Sequence, residues 1–253
     1  MGDVSQKLNK LLETKEQIRQ AIIDKGVEVG EDVVFADYSN KISAIESGNG
    51  DDFLALRTLN HTNYKNLFAW YQGESLNAFE LNTWDTSNVT TMESMFSYCE
   101  VKDYDLSNWD FSKVTDTSGM FSYSDAVNID LSSWTVNTGI SSYYVGQMFI
   151  GCSNLETLDI RNLNITDCIS NVSFTNAFYR CRVLRTLRLD NCPGDTINKI
   201  ITSTNFPTGV ITDSSGKEIL DDEGNTIPRK IYCKQANAEG LTLPDGWEFV
   251  YVD

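Results

Sequence analysis

Histidine is almost absent from this sequence: His61 is the sole instance among 253 residues. That removes most histidine-based acid–base catalysis and His-rich metal sites. Basic residues are also scarce, with 20 Lys and Arg against 36 Asp and Glu, for a formal charge of −16. Phosphate backbones are bound by clustered Lys and Arg, so nucleic acid is not an expected partner. The same deficit argues against an anionic membrane surface. No run approaches the roughly 20 apolar residues that cross a bilayer, so membrane insertion is not expected. The first 25 residues mix Lys, Glu and Gln with apolar positions and lack the continuous apolar core of a secretory signal. The six cysteines, Cys99, Cys152, Cys168, Cys181, Cys192 and Cys233, form no C-x-x-C pair. A zinc ribbon or redox motif is therefore not expected, and folding in a reducing cytoplasm is.

What remains is ample for a core. Hydrophobic residues make up 41% and aromatics 11%, which is too apolar for a disordered chain. Composition divides the sequence. Residues 1–47 read as a helical anchoring or oligomerisation segment, residues 48–52 as a turn-rich linker, residues 53–211 as a repeat, and residues 212–253 as a β-hairpin cap. In the first segment Leu8, Leu11, Leu12, Ile18 and Ile22 form one apolar stripe at helical spacing. Phe35, Tyr38, Ile42 and Ile45 do the same over a second short helix. Helices this short need a partner surface, which could be each other, the repeat, or another chain.

The repeat is the strongest signal. Leu81-Asn-Thr-Trp84, Leu106-Ser-Asn-Trp109, Leu131-Ser-Ser-Trp134 and Ile160-Arg-Asn-Leu163 align, as do Phe68, Phe96, Phe121, Phe149 and Phe178. A fixed period in the range of about 20–50 residues indicates a solenoid or related array. Met92, Met95, Phe96 and Cys99 stand at i, i+3, i+4, i+7, and each unit repeats that spacing. It predicts a two-turn helix with one buried face, for which Thr90 and Glu93 would form a capping box. Ile197, Ile200 and Ile201 repeat it more weakly. Leu155-x-x-Leu158-x-Ile160 and Leu184-x-x-Leu187-x-Leu189 give the strand pattern of leucine-rich repeats. The expected fold is therefore α+β: a leucine-rich-repeat-type solenoid with a short helix and a short strand per repeat. An N-terminal helical segment and a C-terminal β-rich cap flank it. Cys99, Cys152 and Cys181 share one repeat position and read as free core thiols rather than disulfides or metal ligands.

The units Trp84–Cys99 and Trp109–Ser124 resemble the BspA-like bacterial surface-protein leucine-rich repeats, whose hallmark is W-x-x-S-x-V-T-x-M-x-x-M-F-x-x-C followed by L-x-x-L-x-L. That resemblance covers about residues 60–205 and implies binding to proteins or cell surfaces, with no catalytic residues to carry over. The segments 11–29 and 35–45 resemble a short module at the start of phage tail-fibre, baseplate and head-fibre proteins, which implies virion attachment.

Few residues stand out for chemistry. His61 precedes the first repeat helix, and a surface or capping role is favoured over a ligand. The acidic turn Asp221–Asn225 could hold calcium, but it lacks the ligand alternation of an EF-hand, so a hairpin turn is favoured. Tyr98, Tyr123, Tyr143, Tyr144 and Tyr179 lie off the apolar stripe. They are the candidate partner-binding residues, with partial burial between units as the alternative. The expectation is a non-enzymatic phage virion protein without cofactors. It would join other virion proteins or sister subunits as a homo-oligomer and present its repeat to a host cell-surface protein or glycan. A bacterial cell-surface interaction protein is the alternative, and a depolymerase-type enzyme comes third.

Overall fold

The computed structural model describes residues 18, 20, 62–72, 76, 81–136, 143–166 and 172–252. The chain divides into two compact units, Met1–Leu54 and Ala55–Asp253. In the first, Ile18 and Gln20 have helical backbone. Leu8, Leu11, Leu12, Ile22 and the second helix read over 35–46 lie outside the described residues, as do His61 and Cys168.

The second unit is organised by a six-stranded parallel sheet whose strands follow sequence order. The strands are β1 (Asp103–Asp105), β2 (Asn128–Asp130), β3 (Thr157–Asp159), β4 (Thr186–Arg188), β5 (Arg229–Cys233) and β6 (Trp247–Tyr251). Alternation explains the first four. The central residues Tyr104, Ile129, Leu158 and Leu187 are buried in one register column, and polar residues flank them on the outer face.

A second ladder replaces the expected helices. In the stretch 92–99, alternate N–H groups leave the unit: Met92, Ser94, Phe96 and Tyr98 donate to the carbonyls of Asp116, Ser118, Met120 and Ser122 in the next repeat. The intervening Met95, Ser97 and Cys99 donate three residues back, to Met92, Ser94 and Phe96. The segment is thus a chain of β-turns stitched to its neighbours, and its backbone departs from the helix twice per unit. Asn66 and Trp70, Ser94 and Tyr98, Gly119 and Tyr123, Gln147 and Gly151, Asn176 and Arg180, and Asn205 and Gly209 all have positive φ. An α-helix cannot contain such residues, whereas a type II turn requires one at its third position. The capping box is absent for the same reason: the Thr90 hydroxyl donates to Thr62 O of the neighbouring unit at 2.9 Å. Among the described residues of this unit, α-helix is confined to α1 (Gly194–Ile201), which buries Ile197, Ile200 and Ile201, and the single turn α2 (Gln235–Ala238).

Between the two ladders lies a core of aligned side chains. Phe68, Phe96, Phe121, Phe149 and Phe178 stack in sequence with centroids 5.3–5.8 Å apart. Each such burial contributes about 1.5–3 kcal/mol. Trp84 stacks on Trp109 at 6.4 Å, and Trp109 Nε1–H donates to Leu81 O at 2.6 Å. The five described cysteines are free and buried. Cys152 and Cys181 Sγ donate to Phe121 O and Phe149 O, at 2.9 and 3.1 Å, so each thiol satisfies a carbonyl of the preceding unit.

In the C-terminal region antiparallel turns form over 212–226, but the two strands that follow do not make a hairpin. β5 and β6 pair in parallel and extend the same sheet. Antiparallel pairing among the described residues is limited to the bridges Thr212–Glu218 and Leu220–Thr226. Arg229, 2% exposed, locks this region to the repeat. Its guanidinium donates to the carbonyls of Leu184, Arg182 (2.7 Å), Gly209 (3.0 Å) and Val210 (3.3 Å), and it lies over the Trp247 ring. Burial pulls its pKa down to about 10.

Candidate functional site

The turn ladder also sets the surface. One of its two left-handed positions carries Trp70, Tyr98, Tyr123, Gly151 and Arg180 in successive units. Because the backbones are stitched in register, the side chains at this position stack outside the core. Trp70 and Tyr98 lie 4.0 Å apart and 1° from parallel, and Tyr98 and Tyr123 lie 5.1 Å apart at 9°. The next unit offers glycine, and a Cβ added to Gly151 would fall 2.4 Å from the Tyr123 ring. The stack therefore ends against bare backbone.

Its faces are unequal. Tyr98 is covered on both faces and Tyr123 by Tyr98 and Gly151, so their exposures of 40% and 38% come from ring edges and hydroxyls. Trp70 is 61% exposed. A flat ring with one face covered keeps about half of its surface, so the other face of Trp70 is open. A tryptophan with φ of 65° is a rare and costly conformation.

The remaining candidate residues are distributed differently. Tyr144 is exposed and sits in the adjoining bridge ladder between Asp116 and Ser173. Tyr179 neighbours the stack position, with the Arg180 guanidinium over its ring at 5.3 Å. Tyr143 points inward, where its hydroxyl accepts Trp134 Nε1–H at 2.8 Å, and does not join the surface. Trp70 was hidden in the sequence by its neighbour Tyr71, which shares the apolar stripe. The signal that could have found it is its 28-residue offset from Tyr98.

Other features offer less chemistry. The outer face of β1–β3 holds a shallow depression lined by Asp103, Asp105, Asn128, Asp130 and Asp159. Asp159 is already paired with Arg161 and, at 3.9 Å, with Arg188. Among the described residues, no group of three or more His, Cys, Asp or Glu is placed to hold a metal ion. In the acidic turn, Asp221 accepts the backbone N–H groups of Glu223 and Asn225 at 3.0 and 2.7 Å. The bond from Asn225 holds its carboxyl below the usual range. Asp213 repeats the arrangement with Ser215 and Lys217. Both carboxylates are engaged in forming their own turns.

Register, ladder and stack all recur at the repeat period, and it is this part of the chain that is matched by a family. Residues 62–186 match the family model described as Mycoplasma protein of unknown function, DUF285. The DUF285 region runs from the first turn segment to the start of β4, includes Trp70, Tyr98 and Tyr123, and is consistent with a BspA-like surface-repeat family. No curated protein and no solved structure matches the chain.

Proposed function

We propose that the second unit is a leucine-rich-repeat-type solenoid acting as a non-enzymatic recognition module, and that the chain is a structural protein of a phage virion. The exposed aromatic stack of Trp70, Tyr98 and Tyr123 carries the recognition half of this reading. Three large rings held in a row outside the core by a regular backbone form an exposed aromatic patch that suits a partner surface. The virion half is supported by the sequence of residues 11–45, which resembles attachment modules of tail-fibre, baseplate and head-fibre proteins. In this reading the helical segment 1–47 joins other virion proteins or sister subunits, and the repeat faces a host cell-surface protein or glycan. The DUF285 match favours a second reading, a bacterial cell-surface interaction protein built on the same repeat.

Deleting residues 1–47 tests the division of labour. The truncated chain is expected to bind host cells yet fail to enter particles. Normal incorporation of the truncated chain would contradict the anchoring role.

A further inference from the structure

The stack has an electrostatic setting that narrows the partner. Two residues beyond Tyr98 and Tyr123 along the chain stand Glu100 and Asp125, both exposed. They occupy equivalent positions in adjacent units, since Glu100 N–H donates to Tyr71 O and Asp125 N–H donates to Cys99 O, each at 2.9 Å. Tyr98 and Tyr123 are therefore each followed by a carboxylate at one repeat position, where Gln72, Ser153 and Arg182 stand in the other units, on a chain with a formal charge of −16. Ring faces attract cations, indole most strongly, and the one open face of the column is the indole of Trp70. The fold uses the same contact elsewhere, placing Arg180, Arg188 and Arg229 over Tyr179, Tyr232 and Trp247 at 5.3–5.7 Å.

We infer that the Trp70–Tyr98–Tyr123 column is a docking site for a basic segment of a partner protein. An Arg or Lys side chain of that segment covers the free face of Trp70, and Glu100 and Asp125 pair with the neighbouring basic residues. Tyr98, Tyr123 and Gly151 have a backing role: they hold the indole rigid, so little side-chain entropy is lost on binding. The inference rests on the recognition reading above and specifies its partner as protein rather than glycan.

The test is calorimetric titration of the full chain with a hexa-arginine peptide and, separately, with a neutral hexasaccharide. Trp84, Trp109, Trp134 and Trp247 are all buried, so a parallel change in tryptophan emission reports Trp70. Trp70→Gly removes the ring and places at this position the residue that Gly151 and Gly209 already carry at positive φ, so folding is preserved. The peptide is expected to saturate, to shift the emission, and to weaken about fivefold in Trp70→Gly. Trp70→Phe should keep part of the affinity. Glu100→Gln with Asp125→Asn should lower affinity and flatten its dependence on salt. Equal affinity in wild type and Trp70→Gly would overturn the inference. So would saturation by the hexasaccharide with none by the peptide, an outcome that leaves the recognition reading intact. Binding of neither would overturn both.

Discussion

Arg229 ties the C-terminal strands to the repeat. Its donors satisfy carbonyls contributed by residues 182, 184, 209 and 210, and an apolar replacement leaves several of them buried without partners. Arg229→Met should destabilise the fold by about 3 kcal/mol in urea denaturation. Arg229→Lys should rescue little, because an ammonium cannot reproduce the planar fork. Arg229 opens β5 and alternates with Ile231 and Cys233 on the buried face, but its carbonyl partners lie 19 to 47 residues away, so sequence spacing could not expose these contacts. The cysteines were legible, because aligning the repeats put Cys99, Cys152 and Cys181 at one core position. Burial pushes the Cys152 and Cys192 thiols up to about 12, against an ordinary value of 9.0. A thiol raised in the folded state favours folding fully below pH 9. Above that the unfolded chain ionises while the folded chain does not, so stability should fall progressively from pH 9 upward. At pH 8 these thiols should resist alkylation until denaturant is added, as mass spectrometry would read. Rapid labelling of Cys152 in the native protein would contradict that burial.

The turn ladder is the element where spacing misled. Apolar residues at i, i+3, i+4 and i+7 describe one face of a helix, and they describe equally well a chain of turns that exposes its backbone to both neighbours. What separates the two is the left-handed pair in each unit. Only some of those positions are Gly or Asn, the residues that mark such backbone in a sequence. Ser94, Gln147, Trp70, Tyr98 and Tyr123 adopt it because their N–H groups are bonded to the next unit, and these inter-unit bonds over-determine it. Two substitutions test this. Ser94→Gly should stabilise by about 1 kcal/mol, since it relieves a left-handed L-residue. Gly151→Ala should destabilise by about 2 kcal/mol, because its Cβ meets the Tyr123 ring and its φ is 75°. Were the segment helical, the signs would reverse. Two of the three stacked rings were legible by the same token: Tyr98 and Tyr123 stood off the apolar stripe, while Trp70 emerged only once the register was fixed.

Over the whole molecule, periodicity carried furthest. The L-x-x-L-x-L pattern located β3 and β4, and the repeat period carried the same strand to β1 and β2 in the preceding units. The direction of β5 and β6 was not legible. The turn-rich stretch 212–226 argues for hairpins, which do form there, and nothing local signals that the chain then rejoins the parallel sheet. Charge acquires a location at this scale, since Glu100 and Asp125 share the repeat position two residues after Tyr98 and Tyr123, and Asp103, Asp105 and Asp130 occupy the outer face of the first strands. The proposed role joins this acidic, aromatic surface to a separate N-terminal unit that attaches to a particle. Quantitative mass spectrometry of density-purified particles and of the cell-envelope fraction, from cells carrying this gene, tests that claim most directly. The account predicts peptides from both units in the particle band, in fixed proportion to the capsid protein. Recovery in the envelope fraction, with none in the particles, would contradict it.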